Sequence, residues 1–188
     1  MYKRQGIDLV SEQLKVARGE KLQFLQDDIK WNGSAIEARL YAEDPYNDFL
    51  PEIGTLIAFE KDPTIDARWD TGVSKGTIVG TDFDPMLAKI ITYAPNRTDA
   101  AGKLAKALES AHIGGVKTNR DFLVNCLKTP EFIKGDTTSD FIDRVDPARK
   151  LVIQKESLEH ATAIAALWIQ ESNLSLIHIS EPTRLRRI

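Results

Sequence analysis

The sequence predicts an α+β fold in which small antiparallel strands and hairpins come first and packed helices follow. Residues 36–43 alternate between apolar and polar side chains, which is typical of a half-buried strand. Shorter β-prone runs, separated by glycine or proline, continue to residue 93, and most of the amphipathic helical patterns follow residue 96. This segregation of strands and helices favours α+β over a doubly wound parallel sheet.

The first half of the chain is predicted to contain one helix and several strands. Ile7, Val10, Leu14 and Ala17 share a helical face, and Gly19 is placed to end that helix. Strands are predicted at residues 36–43, Thr55–Phe59, Ile65–Asp70, Thr77–Val79 and Met86–Tyr93. Turns and loops between them are predicted at Asp44-Pro45, Leu50-Pro51, Gly72, Gly76, Gly80 and Pro85.

The second half is predicted to be helical, with three helices before Pro147 and a fourth after it. The first three cover Ala101–Ala111 with Asn96 or Thr98 as N-cap, Asn119–Leu127, and Thr138–Val145. The fourth places four residues on one face: Ala161, Ile164, Ala165 and Trp168. Gly114-Gly115 is a predicted turn, and Pro130 is expected to follow the end of the second of these helices.

The composition fits one globular domain together with short neighbouring segments. The chain has 188 residues, of which 42% are hydrophobic and 28% charged. Its net charge of −3, without a basic stripe, argues against nucleic acid as a partner. No apolar run approaches the ~20 residues of a membrane helix, so no membrane segment is predicted. A single cysteine, Cys126, excludes an internal disulfide and agrees with a reducing cytoplasm; its spacing places it on an apolar face with Phe122 and Leu123.

General catalytic motifs are scarce. Gly72–Thr77 superficially resembles a phosphate-binding loop, but it lacks the spacing and the Gly-Lys-Ser/Thr ending, so a hairpin turn is predicted. His112 and His160 have no partner at metal-ligand spacing, and no metal site is predicted. Asp82 and Asp84 could form a carboxylate pair, yet directly before a proline a turn-forming role is the better interpretation.

The segment Ile65–Asp70 is more informative about chemistry. At strand period its apolar side chains face one way, and Asp66, Arg68 and Asp70 face the other. Arg68 is therefore expected on a polar face between two carboxylates. Two interpretations are open at this point: a surface ion-pair ladder, which is common and contributes little, or an arginine held in place to bind an anion, which suits its planar and permanently charged guanidinium.

Six blocks of the sequence together carry a family resemblance, which extends from Gly6 to about Val145. They are Ala35–Pro45, Phe49–Pro51 with Gly54, Arg68–Gly72, Phe83–Lys89, Gly115–Asn119 and Gly135-Asp136. In order and spacing they resemble the C-terminal domain of biotin carboxylases. Ser34, Tyr41 and Phe83 stand where that family usually has histidine, asparagine and tyrosine, at positions that are not associated with catalysis.

The resemblance implies an ATP-grasp ligase that activates bicarbonate with ATP as carboxyphosphate and carboxylates N1′ of biotin. Arg68 matches the arginine that, in this family, faces the ureido oxygen of biotin and stabilises its enolate. The residue type fits this role, because a fixed cation aimed at a developing oxyanion is a strong form of catalytic stabilisation. Arg68 is thus the candidate catalytic residue and also the candidate biotin-binding residue.

The resemblance also implies that this chain is one part of a longer enzyme. The family's glycine-rich loop, metal-binding glutamates and catalytic glutamate–histidine stretch would lie upstream of Gly6, so ATP and Mg²⁺ or Mn²⁺ are expected to bind there. The chain alone is expected to be inactive. Residues 6–30 are assigned to the end of the ATP-grasp module, 31–146 to the biotin carboxylase C-terminal domain, and 147–173 to the start of a connection to a following domain.

The two ends of the chain resemble something other than a natural protein. Residues 1–5 and 174–188 resemble the conceptual translation of a transposase-based sequencing adaptor, so both are expected to contribute nothing to the fold. The alternative is a natural strand at Leu174–Ile179 followed by a basic tail.

The connection after residue 146 resembles that of fused acyl-CoA carboxylase α chains. It favours an acetyl- or propionyl-CoA carboxylase of fatty acid metabolism over a stand-alone subunit, a pyruvate carboxylase or a urea carboxylase. The partners then implied are a biotin carboxyl carrier domain, a carboxyltransferase subunit and a second copy in a homodimer, in the cytoplasm. The competing hypothesis is a non-catalytic dimerisation or scaffold module with the same fold, in which Arg68 is ordinary surface.

Overall fold

The computed structural model describes residues 7–149, 157–167 and 169. The chain divides into two compact units, Met1–Leu151 and Val152–Ile188. The helices of the first unit are α1 (Leu9–Ala17), α2 (Arg97–Glu109), α3 (Arg120–Lys128), α4 (Pro130–Lys134) and α5 (Phe141–Val145), with a 3₁₀ turn at Gln26–Asp28. Its strands are β1 (Ser34–Tyr41), β2 (Glu43–Asp44), β3 (Leu50–Pro51), β4 (Gly54–Thr55), β5 (Ala58–Glu60), β6 (Arg68–Thr71), β7 (Ile78–Val79), β8 (Met86–Ala94) and β9 (His112–Gly114).

The centre of the first unit is a three-stranded antiparallel sheet in the order β1-β8-β6. Its apolar face is covered by α2, and the buried side chains between them include Ile36, Leu40, Ile90 and Leu104. Helix α2 starts where the sequence predicts, because Oδ1 of the N-cap residue Asn96 accepts a 2.8 Å hydrogen bond from an N–H of the first turn. Since successive strand residues point to opposite faces, the other face of this sheet carries the polar half of the alternation.

Three two-stranded antiparallel ladders surround the sheet: β2–β3, β4–β7 and β5–β9. The β2–β3 ladder pairs Asp44 with Leu50 and so closes the predicted loop between them. The β5–β9 ladder connects the strand-rich half of the chain to the segment between α2 and α3. The α+β class predicted from the sequence is confirmed.

Several predicted strands have different limits in the structure. The segment Ile65–Asp70 becomes a strand only at Arg68, because the N–H of Ala67 donates to the carbonyl of Ile65 (2.8 Å) in a tight bend. Thr55–Phe59 is divided between β4 and β5, which pair with different partners. The Gly72–Gly76 segment is a turn but not a hairpin, since β6 and β7 belong to different sheets. Gly114 ends strand β9 and is not part of a turn.

The predicted helices are present, with three corrections. Helix α5 begins at Phe141 and not at Thr138. Pro130 follows the end of α3 as predicted, and it also occupies the first turn of a further helix, α4. Proline is tolerated there because an N–H in the first turn would have no partner within the helix. Helix α1 forms as predicted with Asp8 as its N-cap, but none of its residues is buried within the part of the chain that the structure describes. Val10 and Leu14 are each more than half exposed.

The second unit is described only at residues 157–167 and 169, which are helical. This confirms the fourth predicted helix, whose Leu158, Ile164 and Leu167 are exposed within the described residues. Trp168, as well as residues 1–6 and 170–188 with the predicted adaptor segments, lies outside the described residues. No helix in the described part of the chain is long and apolar enough to cross a membrane.

Candidate functional site

Arg68 is the first residue of β6, an edge strand of the central sheet. Its neighbour Trp69 points to the opposite face, where it packs against the core and meets Phe59 edge to face at a ring distance of 6.2 Å. This anchors the strand and leaves the side chain of Arg68 on the open face, half exposed at 50%. The predicted placement of Arg68 on the polar face is confirmed.

The guanidinium of Arg68 is held by one carboxylate in a two-point contact. Nε donates to Oδ1 of Asp70 (2.8 Å) and Nη2 donates to Oδ2 (2.9 Å). Paired N–H···O bonds of this kind fix the plane of the arginine as well as its position. The hydrogen bonds from Arg68 hold the pKa of Asp70 below its ordinary value, and the same contact raises the pKa of Arg68.

Lys89 is the second cation beside Asp70. The strand register places Asp70 directly opposite Lys89, and Nζ of Lys89 lies 3.7 Å from Oδ2. The positive charge of Lys89 contributes, after that of Arg68, to the lowered pKa of Asp70. Two cations therefore share one carboxylate, so this corner of the sheet has a net positive charge.

The second predicted carboxylate, Asp66, does not take part in this arrangement. It precedes the strand, in the bend that shortens β6, and accepts a 2.7 Å hydrogen bond from Lys103 of α2. The expectation that two carboxylates flank Arg68 is therefore wrong for Asp66 and right for Asp70.

A second ion pair lies across the same open face on β1. Glu37 and Arg68 are both opposite Ile91, on either side of β8, and Arg39 is opposite Lys89. Nε of Arg39 donates to Glu37 in a single contact of 3.3 Å. This pair has the same spacing along its strand as Arg68 and Asp70, but its geometry is looser.

Two other blocks of the sequence have a structural role that sequence reasoning missed. Asp44 is buried and accepts hydrogen bonds from the backbone N–H of Tyr46 (3.0 Å), from Asn47 (2.8 Å) and from Nζ of Lys117 (2.6 Å). Lys117 also meets Glu52 at 3.2 Å. These contacts hold the loop between β2 and β3 against the segment before α3. Only the long-range contact identifies this role, since no local pattern pairs residues so far apart.

The remaining sequence candidates have no catalytic arrangement. Oδ1 of Asp84 accepts from the N–H of Met86 (2.9 Å), which confirms its turn-forming role. Cys126 is half-buried on α3, as predicted for a residue of an apolar face, and burial raises its pKa to about 11. A shallow pocket lined by Tyr46, Lys117 and Arg149 does not include Arg68. Within the described residues, no group of three His, Cys, Asp or Glu side chains is placed to hold a metal ion.

The fold and this face define a domain that presents a fixed arginine on an open sheet, an arrangement suited to an anion or a developing oxyanion. The family model of the biotin carboxylase C-terminal domain matches residues 37–144, more than half of the chain. This chain belongs to the biotin carboxylase C-terminal domain family.

Relatives and solved structures agree with this assignment. The chain is 36% identical over 184 residues to the mitochondrial propionyl-CoA carboxylase α chain of Homo sapiens, with 96% of this chain and 25% of that protein covered. It is 43% identical over 137 residues to biotin carboxylase 2 of Bacillus subtilis, with 73% and 31% covered. Its structure is similar to the biotin carboxylase domain dimer of Hydrogenobacter thermophilus 2-oxoglutarate carboxylase in complex with MgADP, ADP and bicarbonate (TM-score 0.71, 33% identity, 80% of this chain and 33% of that chain).

Two facts about coverage follow from these alignments. The chain spans less than a third of the length of the curated relatives it matches, from 19% to 31%. The alignment with the human protein is too long to fit within residues 6–173, so it includes residues of at least one end segment. The adaptor interpretation of these ends stays a prediction.

Proposed function

We propose that this chain is the C-terminal part of the biotin carboxylase component of an acyl-CoA carboxylase, and that Arg68 is its catalytic contribution. One observation carries the proposal. The sequence resemblance matches Arg68 to the family's arginine, and in the structure Asp70 holds one edge of its guanidinium. The side chain of Arg68 is half exposed on the open sheet face, so its guanidinium is accessible from solvent.

The guanidinium of Arg68 fits the ureido group of biotin. An arginine has five N–H groups, and two of those of Arg68 donate to Asp70. The other three have no hydrogen-bond partner among the described residues and remain available for an oxygen of a ligand. Biotin supplies the ureido nitrogen that receives the carboxyl group. Arg68 binds the ureido oxygen and stabilises the negative charge that develops on it, which acts mainly in the transition state.

We assign ATP, its Mg²⁺ or Mn²⁺ and bicarbonate to the part of a longer protein that precedes the C-terminal domain. The 188-residue chain by itself is then inactive and binds Mg-ATP weakly or not at all. Isothermal titration calorimetry of the chain with Mg-ATP tests this assignment. Binding with a micromolar dissociation constant would contradict it.

We further propose a propionyl- or acetyl-CoA type of carboxylase. The support is the length of the alignment with the human propionyl-CoA carboxylase α chain, which continues past the C-terminal domain, whereas that with Bacillus subtilis biotin carboxylase 2 covers less of this chain. Such an enzyme has a biotin carrier domain and a carboxyltransferase subunit as partners and forms a homodimer through its biotin carboxylase component. A cytoplasmic location stays part of the proposal, on the basis of the single cysteine.

The second candidate function is a dimerisation or scaffold module without chemistry. The observation that favours it is the exposure of the Arg68–Asp70 pair, since exposed ion pairs are common on ordinary protein surfaces. In that case Arg68 would be replaceable without effect on any rate.

The substitution Arg68→Gln in the full-length protein separates the two functions. Glutamine keeps a polar side chain of similar reach but removes the charge, so kcat for biotin carboxylation should fall on the order of 10²–10³-fold, as for the loss of one oxyanion donor. The KM for ATP should not change, because the nucleotide binds elsewhere. Arg144→Gln, in α5 and outside this sheet, is the control and should leave kcat unchanged. A normal kcat for Arg68→Gln would support the scaffold.

A further inference from the structure

The chain folds back onto the domain directly after α5 ends. Asp146 follows the helix in the left-handed conformation (φ +44°), and the next residue, Pro147, is buried. Nδ2 of Asn125, on α3, donates to the carbonyl of Ala148 (2.7 Å). We call Pro147–Arg149 the anchor segment. It is attached to α3 at the start of the predicted connection to a following domain.

The side chain of Arg149 attaches the anchor segment to two aromatic rings. Its Cζ lies 5.1 Å from the ring centroid of Phe49 and 5.3 Å from that of Phe122, and the two rings meet edge to face at 5.0 Å. A guanidinium over aromatic rings is attracted by their electron-rich faces, more strongly when it is partly desolvated. The side chain of Arg149 is 33% exposed, and its ion pair with Asp146 is long, at 3.6 Å. Within the described residues, the two rings are therefore its closest attachment to the domain.

Phe49 ends the loop between β2 and β3, and its backbone is strained. Asp48 and Phe49 have φ values of +48° and +57°, a region that residues with a side chain rarely adopt. Such a conformation persists only where the surrounding contacts over-determine it. The N–H of Phe49 donates to the carbonyl of Asp44 (3.0 Å), which holds its backbone. Phe122 and Arg149 hold its ring.

We propose that the anchor segment couples the connection to the β2–β3 loop: Arg149 holds Phe49 in its strained conformation, and Phe49 in turn holds the start of the connection against α3. Three parts of the chain that are distant in sequence meet in this contact. Movement of a domain attached after Arg149 reaches the loop through Phe49, and it reaches the segment before α3 through the ion pair of Asp44 with Lys117. Only the use of the coupling in a longer enzyme rests on the proposed function.

Amide hydrogen exchange of the 188-residue chain, followed by NMR, measures the coupling. Arg149→Gln keeps a polar side chain but removes the cation, so the N–H of Phe49 should exchange about 5–30-fold faster, as expected for the loss of a partly desolvated cation–π contact. The N–H of Ile90, in the buried middle of β8, should change much less because it exchanges through global opening. Arg18→Gln, in an exposed ion pair at the end of α1, is the control and should change neither rate. Equal acceleration at Phe49 and Ile90 would overturn the proposal, because the substitution would then act through global stability.

The coupling must also act in the reverse direction, because coupling between two sites is reciprocal. Phe49→Leu keeps an apolar side chain but removes the ring, so the ¹H–¹⁵N NOE of Ala148 and Arg149 should fall as their backbone gains fast motion. Arg149→Lys keeps the charge and should retain most of the protection of the Phe49 N–H. An unchanged NOE in Phe49→Leu, or unchanged exchange of Phe49 in Arg149→Gln, would refute the coupling. None of these measurements involves carboxylation, so such a result leaves the proposed function of Arg68 to its own test.

Discussion

Asn119 forms hydrogen bonds with both the N–H and the carbonyl of Tyr41, which precedes it by 78 residues in the sequence. Oδ1 of Asn119 accepts from the N–H of Tyr41 (2.9 Å), and its own N–H donates to the Tyr41 carbonyl (3.2 Å). Nδ2 donates to the carbonyl of Arg39 (3.2 Å). The buried asparagine thus satisfies backbone groups at the end of β1. Since the contact uses the backbone of Tyr41, the departure from the family's usual residue at this position does not disturb it.

Replacing Asn119 by alanine should destabilise the chain by about 1–2 kcal/mol, because it leaves partly buried backbone groups of β1 without their side-chain partner. Urea unfolding of the 188-residue chain measures the change. Gln13→Ala, which removes an amide from the exposed side of α1, is the control and should stay within about 0.5 kcal/mol. Equal effects of the two substitutions would contradict the role of Asn119.

Gly115→Ala should be among the most damaging small substitutions in the chain. Gly115 has φ +106°, and a Cβ there would lie 2.0 Å from the carbonyl oxygen of Thr55 and 2.8 Å from the backbone nitrogen of Ile57. Both neighbours are backbone atoms of the β4–β5 segment, so relief requires the chain to move. We expect a loss of at least ~2 kcal/mol in the free energy of unfolding.

The same substitution at a glycine in a helix should have the opposite effect on stability. Gly102 lies in α2, where a Cβ would meet nothing within 4 Å. Gly102→Ala should therefore stabilise the chain by about 0.5–1 kcal/mol through helix propensity and a less flexible unfolded state. Thermal unfolding of both variants tests the pair. A Gly115→Ala protein as stable as the unmodified chain would show that the close approach to Thr55 is not required.

The sequence predicts the position of Arg68 and its neighbour Asp70 on one face, but not the second cation, Lys89. Alternation places Arg68 and Asp70 on one face, and this part of the prediction depends only on local geometry. The register with β8, which places Lys89 opposite Asp70, is a long-range contact that local periodicity does not determine. For the same reason the bend before Arg68, which turns Asp66 toward Lys103, could not be foreseen.

The fold class is predictable because alternating apolar residues dominate the first half of the sequence and helical spacing of apolar residues dominates the second half. The pairing of the short strands is not, since β4 and β5 come from one continuous β-prone run that the structure divides between two partners. The periodicity of α1 predicts one buried face, but among the described residues no surface covers that face, and local periodicity does not determine such long-range packing.

The free energy of unfolding should depend on pH, because the carboxylate of Asp44 is buried and ionised in the folded chain. The hydrogen bond from Lys117, then that from the N–H of Tyr46, holds the pKa of Asp44 below its ordinary value of 3.8. A lowered pKa means that the ionised carboxylate stabilises the fold above about pH 4, and that this contribution is lost as the pH falls through the lower value of the folded state. Asp44→Asn should therefore be less stable than the unmodified chain at neutral pH.

The difference in stability between Asp44→Asn and the unmodified chain should shrink as the pH falls below 3.8 and through the lower pKa of the folded state. Urea unfolding across this range measures it, and Asp82→Asn controls for the loss of one negative charge. A difference that stays constant with pH would mean that packing, not ionisation, accounts for the effect of the substitution.

Cys126 should be a poor nucleophile in the folded chain. Burial raises the pKa of its thiol from 9.0 to about 11, against a smaller opposing effect of Arg149. Since the thiolate is the reactive form, alkylation by iodoacetamide at about pH 8 should be roughly 100-fold slower than for an ordinary cysteine. The chain has one cysteine, so the labelled fraction reports this site directly, and the chain unfolded in urea serves as the control.

The same raised pKa has a consequence for stability at alkaline pH. The folded state keeps the thiol protonated, so the stabilising contribution is complete below about pH 9 and is lost as the pH rises from 9 toward 11, where the unfolded chain ionises first. The free energy of unfolding of the unmodified chain should therefore fall more steeply over this range than that of Cys126→Ala. Parallel pH profiles, or rapid alkylation of the folded chain with an apparent pKa near the ordinary value, would show that the thiol is open to solvent.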